Sequence, residues 1–364
     1  MSKKEKAKTR IVVKIGSNVL TRKDGTLDVT RMSALVDQVI ELKKSGIEII
    51  LVSSGAVAAG KAEVKPHTKL DMVSSRQLFS AIGQVKLINH YNSFFNQHRT
   101  TCGQILATKE DFSTRRHYLN QRNCITVMLE NGVVPIVNEN DAISVNELMF
   151  TDNDELSGLV AAMMNCDKLI ILSNIDGIFT GNPQSPDSEI IREIDVQDNI
   201  EEYIQSSKSS SGRGGMRTKY NIARKVASEG IEVIIANGKK ENILCDILQH
   251  PEDSVFTRFT AVEKKTSSIK KWIAHSEGFA KGEIYVNQCA KDILLGDKAI
   301  SLLPVGVVKI NGEFECDDIV KIMDESGNQL GVGKTSYDSE AAARLIGTKQ
   351  GKPIIHYDYL YIEK

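Results

Sequence analysis

The sequence predicts an α/β fold, in which an open, mostly parallel sheet is sandwiched by helices, followed by a small β-rich domain. Two observations lead to this prediction. As far as Gly238, short β-branched runs alternate with amphipathic helical segments, and the tail holds short strands separated by Gly, Asn and Asp. Near-continuous apolar runs are typical of strands buried on both faces of a parallel sheet. Their alternation with helices indicates an open α/β sheet.

Five strands are predicted in the first region, and each ends in a loop of small or polar residues. Ligands of open α/β sheets bind outside the carboxyl ends of the strands, so we expect these loops at the binding edge. Pro135 is unexpected in its strand, because proline cannot donate a ladder hydrogen bond. The strands and their loops are Ile11–Val13 with Lys14-Ile-Gly-Ser17, Ile47–Val52 with Ser53-Ser-Gly-Ala56, Val133–Val137 with Asn138-Glu-Asn-Asp141, Leu169–Leu172 with Ser173-Asn-Ile-Asp-Gly177, and Ile231–Ile235 with Ala236-Asn-Gly238.

Helices are predicted between these strands from apolar residues at helical spacing. A further helix is expected from about Met216, after a Ser-rich stretch over residues 206–215 that is typical of a mobile loop. The two clearest apolar stripes are Leu35, Val36, Val39, Ile40 and Leu42, with Gly46 as the expected cap, and Leu156, Leu159, Val160, Met163 and Met164.

The composition changes near Ala261, which predicts a domain over residues 1–260, a linker over 261–279 and a second domain over 280–364. The second domain is expected to be rich in short strands, with two helices over Gln288–Leu295 and Ser339–Leu345. Its predicted strands are Gly282–Val286, Val307–Ile310, Ile319–Ile322 and Ile354–Tyr357.

Composition excludes several classes of protein. The 364 residues include 46 Lys plus Arg and 47 Asp plus Glu, a net charge of −1, which argues against a coat for nucleic acid or anionic membrane. No apolar run is long enough to span a bilayer, and no apolar stretch follows the lysine-rich leader as in a signal peptide. The six cysteines form no C-x-x-C pair, so we expect reduced thiols and a cytoplasmic protein.

Two glycine-rich segments imitate nucleotide motifs without matching them. Gly331-Val-Gly-Lys-Thr335 resembles half of a Walker A loop, but Asn328 stands where the first glycine is needed. Gly212-Arg-Gly-Gly-Met-Arg217 ends in arginine where G-x-G-x-x-G requires glycine. No His pair has zincin spacing, and Asp152-Asn-Asp154 lacks the rest of an EF-hand, so we expect no dedicated metal site.

Four loops carry candidate chemistry, each with a simpler alternative. Lys14 before Gly16 suits a phosphate, or is a solvated lysine at a strand end. Ser53-Ser-Gly-Ala56 can offer donors to an anion, or cap a helix. Asn138–Asp141 and Asp152–Asp154 can bind an amino group, hold Mg²⁺ or orient lysines, or are turn and cap residues. Lys219, in the first turn of a helix, suits a bound anion, or follows a mobile loop.

Together these features favour phosphoryl transfer, which needs positioning and charge neutralisation more than covalent help. In order along the chain, they resemble the amino acid kinase family, and the tail resembles a PUA domain. Within the family, the resemblance is to members that phosphorylate glutamate and carry such a tail. The motifs are Val-Val-Lys14-Ile-Gly-Ser, Ser-Ser54-Gly-Ala, Asn-Glu-Asn-Asp141, Asp-Asn153-Asp154, Asp176-Gly-Ile-Phe-Thr and Gly-Gly-Met-Arg-Thr-Lys219.

The resemblance implies a role for each matching residue. Lys14 and Lys219 would neutralise the transferring phosphoryl group, and Asp154 would hold both lysines in place. Three further residues would bind glutamate, namely Ser54, Asp141 and Asn153. The nucleotide, with backbone donors to its phosphates from the first two glycines, would be bound by Lys14, Gly16, Gly55, Ser173, Asn174, Arg213, Gly214, Gly215, Met216, Arg217, Thr218 and Lys219.

The resemblance also implies an activity and its partners. The γ-carboxylate of L-glutamate would attack the γ-phosphate of ATP, with Mg²⁺, giving L-glutamyl 5-phosphate and ADP in the first step of proline biosynthesis. No general base is needed, because the carboxylate is ionised at neutral pH. Proline would be a feedback inhibitor, glutamyl phosphate reductase the functional partner, and the assembly a homo-oligomer, as a tetramer or a dimer.

The sequence departs from the family pattern at Ser173-Asn174, where Thr-Asp is frequent, and at Arg213, where threonine is common. Two alternatives stay open. One is a kinase of the same fold acting on aspartate, acetylglutamate, carbamate or UMP, which the tail disfavours. The other is an RNA-binding protein, since PUA domains are common in such proteins. Residues 276–364 hold 10 Lys plus Arg against 14 Asp plus Glu, a net charge of −4 that disfavours RNA.

Overall fold

The computed structural model describes residues 8–144, 150, 152–198, 200, 203, 215–263, 272–273, 276, 279–296 and 300–362. The chain divides into two compact units. The first comprises Met1–Lys109 and Asn120–Lys265, and the second comprises Glu110–Leu119 and Thr266–Lys364. Within the described ranges, no helix is both long and apolar enough to cross a membrane.

The first unit is built on an eight-stranded sheet in the order β3-β4-β2-β1-β5-β9-β10-β8. All neighbouring strands in it are parallel except β9 and β10, which confirms the predicted open, mostly parallel sheet. Strands β6 and β7 form a separate, short antiparallel pair. The strands are β1 (Arg10–Ile15), β2 (Glu48–Ser53), β3 (Cys102–Ala107), β4 (Val134–Glu139), β5 (Lys168–Ser173), β6 (Ile178–Phe179), β7 (Ile190–Ile191), β8 (Glu193–Ile194), β9 (Glu232–Asn237) and β10 (Phe256–Phe259).

The five predicted strands are confirmed, and each ends one or two residues later than predicted. Pro135 lies in β4, paired with Gly103 of the edge strand β3, and the neighbouring Val134, Ile136 and Val137 are buried. The burial of these side chains outweighs the one ladder donor that proline removes. Strand β3 was not predicted, because only two of its six residues are buried.

The helices that precede the second domain in sequence are α1 (Ser17–Leu20), α2 (Val29–Lys44), α3 (Ala56–Glu63), α4 (Met72–Gln97), α5 (Glu110–Ser113), α6 (Arg115–Glu130), α7 (Asn153–Met163), α8 (Met216–Ser228) and α9 (Ile243–Gln249). The predicted stripe of α2 is buried, and Asp28 caps that helix by accepting from the Arg31 N–H. The predicted start of α8 at Met216 is also confirmed. Most of the Ser-rich stretch, residues 206–214, lies outside the described residues.

Helices α3 and α4 pack backbone against backbone at two glycines. A Cβ at Gly83 would lie 1.8 Å from the carbonyl oxygen of Ala56, and one at Gly60 would lie 1.8 Å from that of Phe79. Real Cβ atoms do not approach an oxygen so closely. Both positions therefore require glycine, which has no Cβ. The contact fixes α3, and with it the loop that follows β2, against α4.

The second unit contains a five-stranded sheet in the order β12-β11-β13-β14-β15, around a core that includes Ile284, Val320 and Val332. Both predicted helices are confirmed with their predicted bounds, as α10 (Gln288–Leu295) and α11 (Ser339–Leu345). The Walker-like segment is part of β14, a strand that the sequence analysis did not predict. The strands are β11 (Gly282–Val286), β12 (Val307–Asn311), β13 (Ile319–Asp324), β14 (Gln329–Thr335) and β15 (Ile355–Ile362).

Trp272, within the predicted linker, is a buried residue of the second unit. Its Nε1–H donates to the carbonyl of Phe112 at 3.0 Å, and its ring contacts that of Tyr118. The guanidinium of Arg115 lies over both rings. This packing explains why Glu110–Leu119, which are distant in sequence, belong to the second unit.

Candidate active site

A cleft of about 1340 Å³ lies at the carboxyl ends of the parallel strands of the first unit. Four of the five predicted loops line it, namely those that follow β1, β2, β4 and β5. The fifth loop, after β9, contributes the neighbouring Lys239. The cleft therefore occupies the edge at which an open α/β sheet binds its ligands.

At the centre of the cleft, one carboxylate holds two ammonium groups. Lys14 Nζ lies 2.6 Å from Asp154 Oδ1, and Lys219 Nζ lies 2.8 Å from Asp154 Oδ2. Asp154 is fully buried, while Lys14 and Lys219 are 5% and 8% exposed. The cluster carries a net charge of +1 and both lysines reach the cleft, so it is suited to a phosphate group.

Each member of this cluster is supplied by a different element. Lys14 is the fifth residue of β1, and Lys219 lies in the first turn of α8, which Gly215 caps. Asp154 is not the cap of α7, which was its simpler alternative role. Asp152 is the cap, with its side chain accepting from the N–H groups of Asp154 and Glu155. The cap leaves the Asp154 carboxylate to the two lysines.

The surroundings of Asp154 act on its pKa in opposite directions. Burial raises the pKa, but the charges of Lys14 and Lys219 and their hydrogen bonds outweigh burial and lower it to about 2. At neutral pH the carboxylate is therefore ionised. Burial and the charge of Asp154 raise the pKa of Asp152 to about 6, and Asp152 Oδ2 is buried without a hydrogen-bond partner in the described structure.

The two glycines predicted to donate to phosphates differ in their surroundings. The Gly16 N–H already donates to the carbonyl of Leu172 at 3.0 Å, so this donor is engaged within the fold, against our expectation. Glycine at position 16 instead lets the backbone lie close to β5, since a Cβ there would be only 3.0 Å from the carbonyl oxygen of Leu172. Gly55 has φ +104° and caps α3, a conformation that favours glycine.

Two of the predicted glutamate-binding residues, Ser54 and Asn153, are hydrogen-bonded to each other in the lining of the cleft. Asn153 Nδ2 donates to Ser54 Oγ and to the carbonyl of Ser53, both at 2.8 Å, and to Asn138 Oδ1 at 3.1 Å. The Asn153 Oδ1 atom is buried and has no hydrogen-bond partner in the described part of the chain. A buried acceptor on a residue that lines the cleft therefore has its bonding capacity unused.

Asp141, the third predicted glutamate-binding residue, belongs to a carboxylate pair that shares one arginine. Arg76 Nη2 lies 2.8 Å from Glu139 Oε2 and also contacts Asp141 Oδ1. Glu139 Oε1 accepts from the Phe150 N–H at 3.0 Å. Burial and the charge of Asp141 raise the pKa of Glu139 to about 7, and burial raises the pKa of Asp141.

The predicted nucleotide-binding residues are only partly gathered around the cleft. Ser173, Asn174, Met216 and Lys219 line it together with Lys14, Gly16 and Gly55. Gly215, Arg217 and Thr218 are described residues outside its lining. Arg213 and Gly214 lie outside the described residues. In the loop that follows β5, Asp176 accepts from Asn237 Nδ2 at 2.9 Å and forms an ion pair with Lys240 at 3.1 Å.

Four lining residues were missed as site residues. Arg76 lies on α4, far in sequence from the strand ends, and no periodicity indicates it. Asn138, Glu139 and Asp152 lie within the quoted motifs, and their positions at a strand end or helix cap are the signal that could have singled them out.

Two family models match most of the chain, and related proteins match nearly its whole length. The amino acid kinase family model matches residues 9–237, and the PUA domain model matches residues 282–357. A glutamate 5-kinase from Bacteroides thetaiotaomicron is 67% identical over 355 residues, which cover 98% of this chain and 99% of that protein. A glutamate 5-kinase from Chlorobaculum tepidum is 47% identical over 364 residues, covering 100% and 99%.

Solved structures agree in fold at low sequence identity. An isopentenyl phosphate kinase superimposes with a TM-score of 0.50 at 17% identity, over 69% of this chain and 100% of that one. The carbamate kinase from Giardia lamblia bound to AMP-PNP gives 0.50 at 18%, over 70% and 99%. At these identities the structures support the fold alone. Taken with the family models and the two relatives, they establish that this chain belongs to the amino acid kinase family and, within it, to the glutamate 5-kinases that carry a PUA domain.

Proposed function

We propose that the chain transfers the γ-phosphoryl group of ATP to the γ-carboxylate of L-glutamate, giving L-glutamyl 5-phosphate and ADP in the first step of proline biosynthesis. The observation that carries this proposal is the buried cluster of Lys14, Asp154 and Lys219, which places two ammonium groups in one cleft. The two relatives named glutamate 5-kinase support the choice of acceptor.

In the proposed reaction, a γ-carboxylate oxygen of glutamate attacks the γ-phosphorus in line. The new O–P bond forms as the bond to the β-phosphate oxygen breaks, and the electron pair leaves with ADP. Lys14 and Lys219 neutralise the charge on the transferring group, from the nucleotide side and the leaving-group side. Mg²⁺ enters with ATP as part of the substrate. No side chain has to move a proton, since the attacking carboxylate is already ionised.

Substrate binding divides between the two ends of the cleft. Ser54, Asp141 and Asn153 bind glutamate, with the Asp141 carboxylate facing its amino group. The nucleotide is bound by Ser173, Asn174, Gly16, Gly55 and the segment from Arg213 through Lys219. Because the Gly16 N–H is engaged with Leu172, the contribution of Gly16 is the close approach of its backbone rather than a donor.

Release of ADP tests this function directly. The purified protein is incubated with Mg-ATP and, separately, with glutamate, aspartate, acetylglutamate, carbamate and UMP. We expect ADP release with glutamate, and trapping of an acyl phosphate by hydroxylamine. Turnover with aspartate or UMP but not with glutamate would contradict the proposal, and would favour another kinase of the same fold.

Lys219→Ala separates a transition-state role from ground-state binding. We expect turnover to fall by about 100-fold, while the dissociation constant of ATP rises by about threefold or less. The reason is that negative charge develops on the leaving oxygen of ADP during transfer, when the Lys219 ammonium contributes most. Steady-state kinetics and calorimetric titration with a non-hydrolysable ATP analogue measure the two effects, and equal losses in both would mean simple nucleotide binding.

We further propose that proline inhibits by competing in the glutamate pocket near Asp141 and Asn153. Glutamate and proline both carry an α-carboxylate and a cationic nitrogen. The buried carboxylate of Asp141 is suited to the cationic nitrogen of either ligand. Asp141→Ala is expected to raise the glutamate KM and the proline inhibition constant together, each by at least about tenfold. Raised glutamate KM with unchanged proline sensitivity, measured in the same assay, would place the inhibitor elsewhere.

The remaining proposals concern the assembly and its setting. We propose a cytoplasmic homo-oligomer, as a tetramer or dimer, which analytical ultracentrifugation measures. Glutamyl phosphate reductase is the expected functional partner, because the product is an acyl phosphate that hydrolyses readily in water. No role for nucleic acid or membrane is proposed.

A further inference from the structure

Helix α4 makes a row of polar contacts with the strand ends that form the glutamate end of the cleft. Gln77 Nε2 donates to the carbonyl of Ala142 at 3.0 Å, Gln84 Oε1 accepts from Asn138 Nδ2 at 2.8 Å, and the hydroxyl of Tyr91 lies 2.9 Å from Ser53 Oγ. Residues 77, 84 and 91 recur every seven positions, so they lie along one face of the helix.

Arg76 precedes this row and is the charged contact of the helix with the site. Its Nη2 atom contacts both Glu139 and Asp141, which are buried at 3% and 9% exposure. With both carboxylates ionised, the three groups carry a net charge of −1. A substrate ammonium group would neutralise this charge, whereas the removal of Arg76 would leave two buried carboxylates facing each other, at a high cost.

Glu139 differs from Asp141 in that both of its carboxylate oxygens contact other groups of the protein. Its Oε1 atom accepts from the Phe150 N–H, and its own N–H donates to Asn138 Oδ1 at 2.9 Å. Both oxygens are thus directed at the protein, one towards Phe150 and one towards Arg76. Glu139 therefore ties Arg76 to the polypeptide, and the position of the guanidinium in turn determines that of the Asp141 carboxylate.

We propose that Arg76 is a positioning residue of the glutamate site: it holds the Asp141 carboxylate in place for the substrate amino group, and Glu139 anchors Arg76. This inference rests on the proposed function and deepens it. Arg76 acts through Asp141, so its loss affects the binding of glutamate and leaves the nucleotide end, with Lys14 and Lys219, unchanged.

Arg76→Met removes the charge and keeps most of the side-chain volume. We expect the glutamate KM to rise by at least about tenfold, while the ATP KM and kcat change by less than about threefold. Arg76→Lys, which keeps a cation, should restore the glutamate KM to within about threefold of the wild-type value. Lys86→Met is the matched control, since Lys86 lies exposed on the same helix and pairs with Glu63.

The pH dependence of kcat/KM for glutamate tests the positioning role of Arg76, because a merely structural role would leave its midpoint unchanged. The charged groups that face Glu139 are Asp141 and Arg76, and those that face Asp141 are Arg76 and Glu139. Ionised carboxylates bind the ammonium group, so kcat/KM for glutamate rises with pH through the ionisation of the pair. Arg76→Met removes a cation that lowers both pKa values, so the midpoint moves to higher pH. Glu139→Gln removes a neighbouring negative charge, so the midpoint moves to lower pH.

The outcomes distinguish the inference from the function on which it rests. A wild-type protein that does not phosphorylate glutamate would overturn the proposed function, and the inference with it. A wild-type protein that does so, with an unchanged glutamate KM in Arg76→Met or equal losses for glutamate and ATP, would overturn the inference alone. If Arg76→Met does not fold, the double variant Arg76→Met/Glu139→Gln, with one buried carboxylate fewer, and the pH profile of Arg76→Lys serve the same test.

Discussion

Asp154→Asn is expected to lower turnover by about a thousandfold while the fold persists. The substitution keeps the shape of the side chain but removes the charge that holds Lys14 and Lys219 2.6 and 2.8 Å from its oxygens. Without that charge, the two ammonium groups repel each other and are no longer held together by one carboxylate. Steady-state ADP release measures the loss.

The control for this substitution is Asp253→Asn, because Asp253 is an exposed aspartate outside the cleft. Thermal unfolding of both variants separates misfolding from mispositioned lysines. An Asp154→Asn variant that keeps at least a tenth of wild-type turnover would contradict the role assigned to the carboxylate. A variant with lost turnover and a normal Tm would agree with it.

Gly83→Ala is expected to lower the free energy of unfolding by about 3 kcal/mol or more. The new Cβ would lie 1.8 Å from the Ala56 carbonyl oxygen and 2.4 Å from the Gly60 nitrogen, and both atoms belong to the backbone of α3. Backbone cannot rotate away as a side chain can, so the two helices must separate. For a unit of this size the corresponding fall in Tm is roughly 6–12 °C, measured by calorimetry.

Ser93→Ala, at an exposed position of the same helix, is the control and should change the stability by less than about 0.5 kcal/mol. The separation of α3 from α4 should also displace Gly55 and Ser54, so we expect a raised glutamate KM in the folded fraction. A Gly83→Ala protein as stable as the Ser93→Ala control would show that the helices repack without loss.

The parallel sheet could be predicted because its central strands are nearly continuous apolar runs and therefore differ from the helices around them. Strand β3 escaped prediction because it lies at an edge, where one face needs little hydrophobicity. Strand β14 escaped because its glycines, Gly331 and Gly333, resemble a loop. Both lie where a Cβ would come within 3 Å of β15, at Tyr361 and at Ile355 respectively, so they are required by close strand packing.

The candidate site was predictable to the extent that its residues follow strands. Lys14, Ser54 and Asp141 lie at strand ends, whose common edge follows from parallel pairing. The contact of Asp154 with two lysines was implied by the family resemblance rather than by spacing. Arg76 was not predictable from local pattern, because a helical arginine acquires its partners only through tertiary packing.

The two charged clusters of the cleft differ in the sign of their charge, and this difference can select a substrate by its length. Asp154 and its two lysines carry a net charge of +1, whereas Arg76 and its two carboxylates carry a net charge of −1 when both carboxylates are ionised. Under the proposed function, an amino acid with a charged group at each end would therefore enter in one orientation, with its ammonium group towards Asp141 and its distal carboxylate towards the lysines. Aspartate, shorter by one methylene, would anchor its amino group and stop short of the phosphorus. A shortfall of about 1 Å in reach can cost about a hundredfold in rate, so chain length itself would select the substrate.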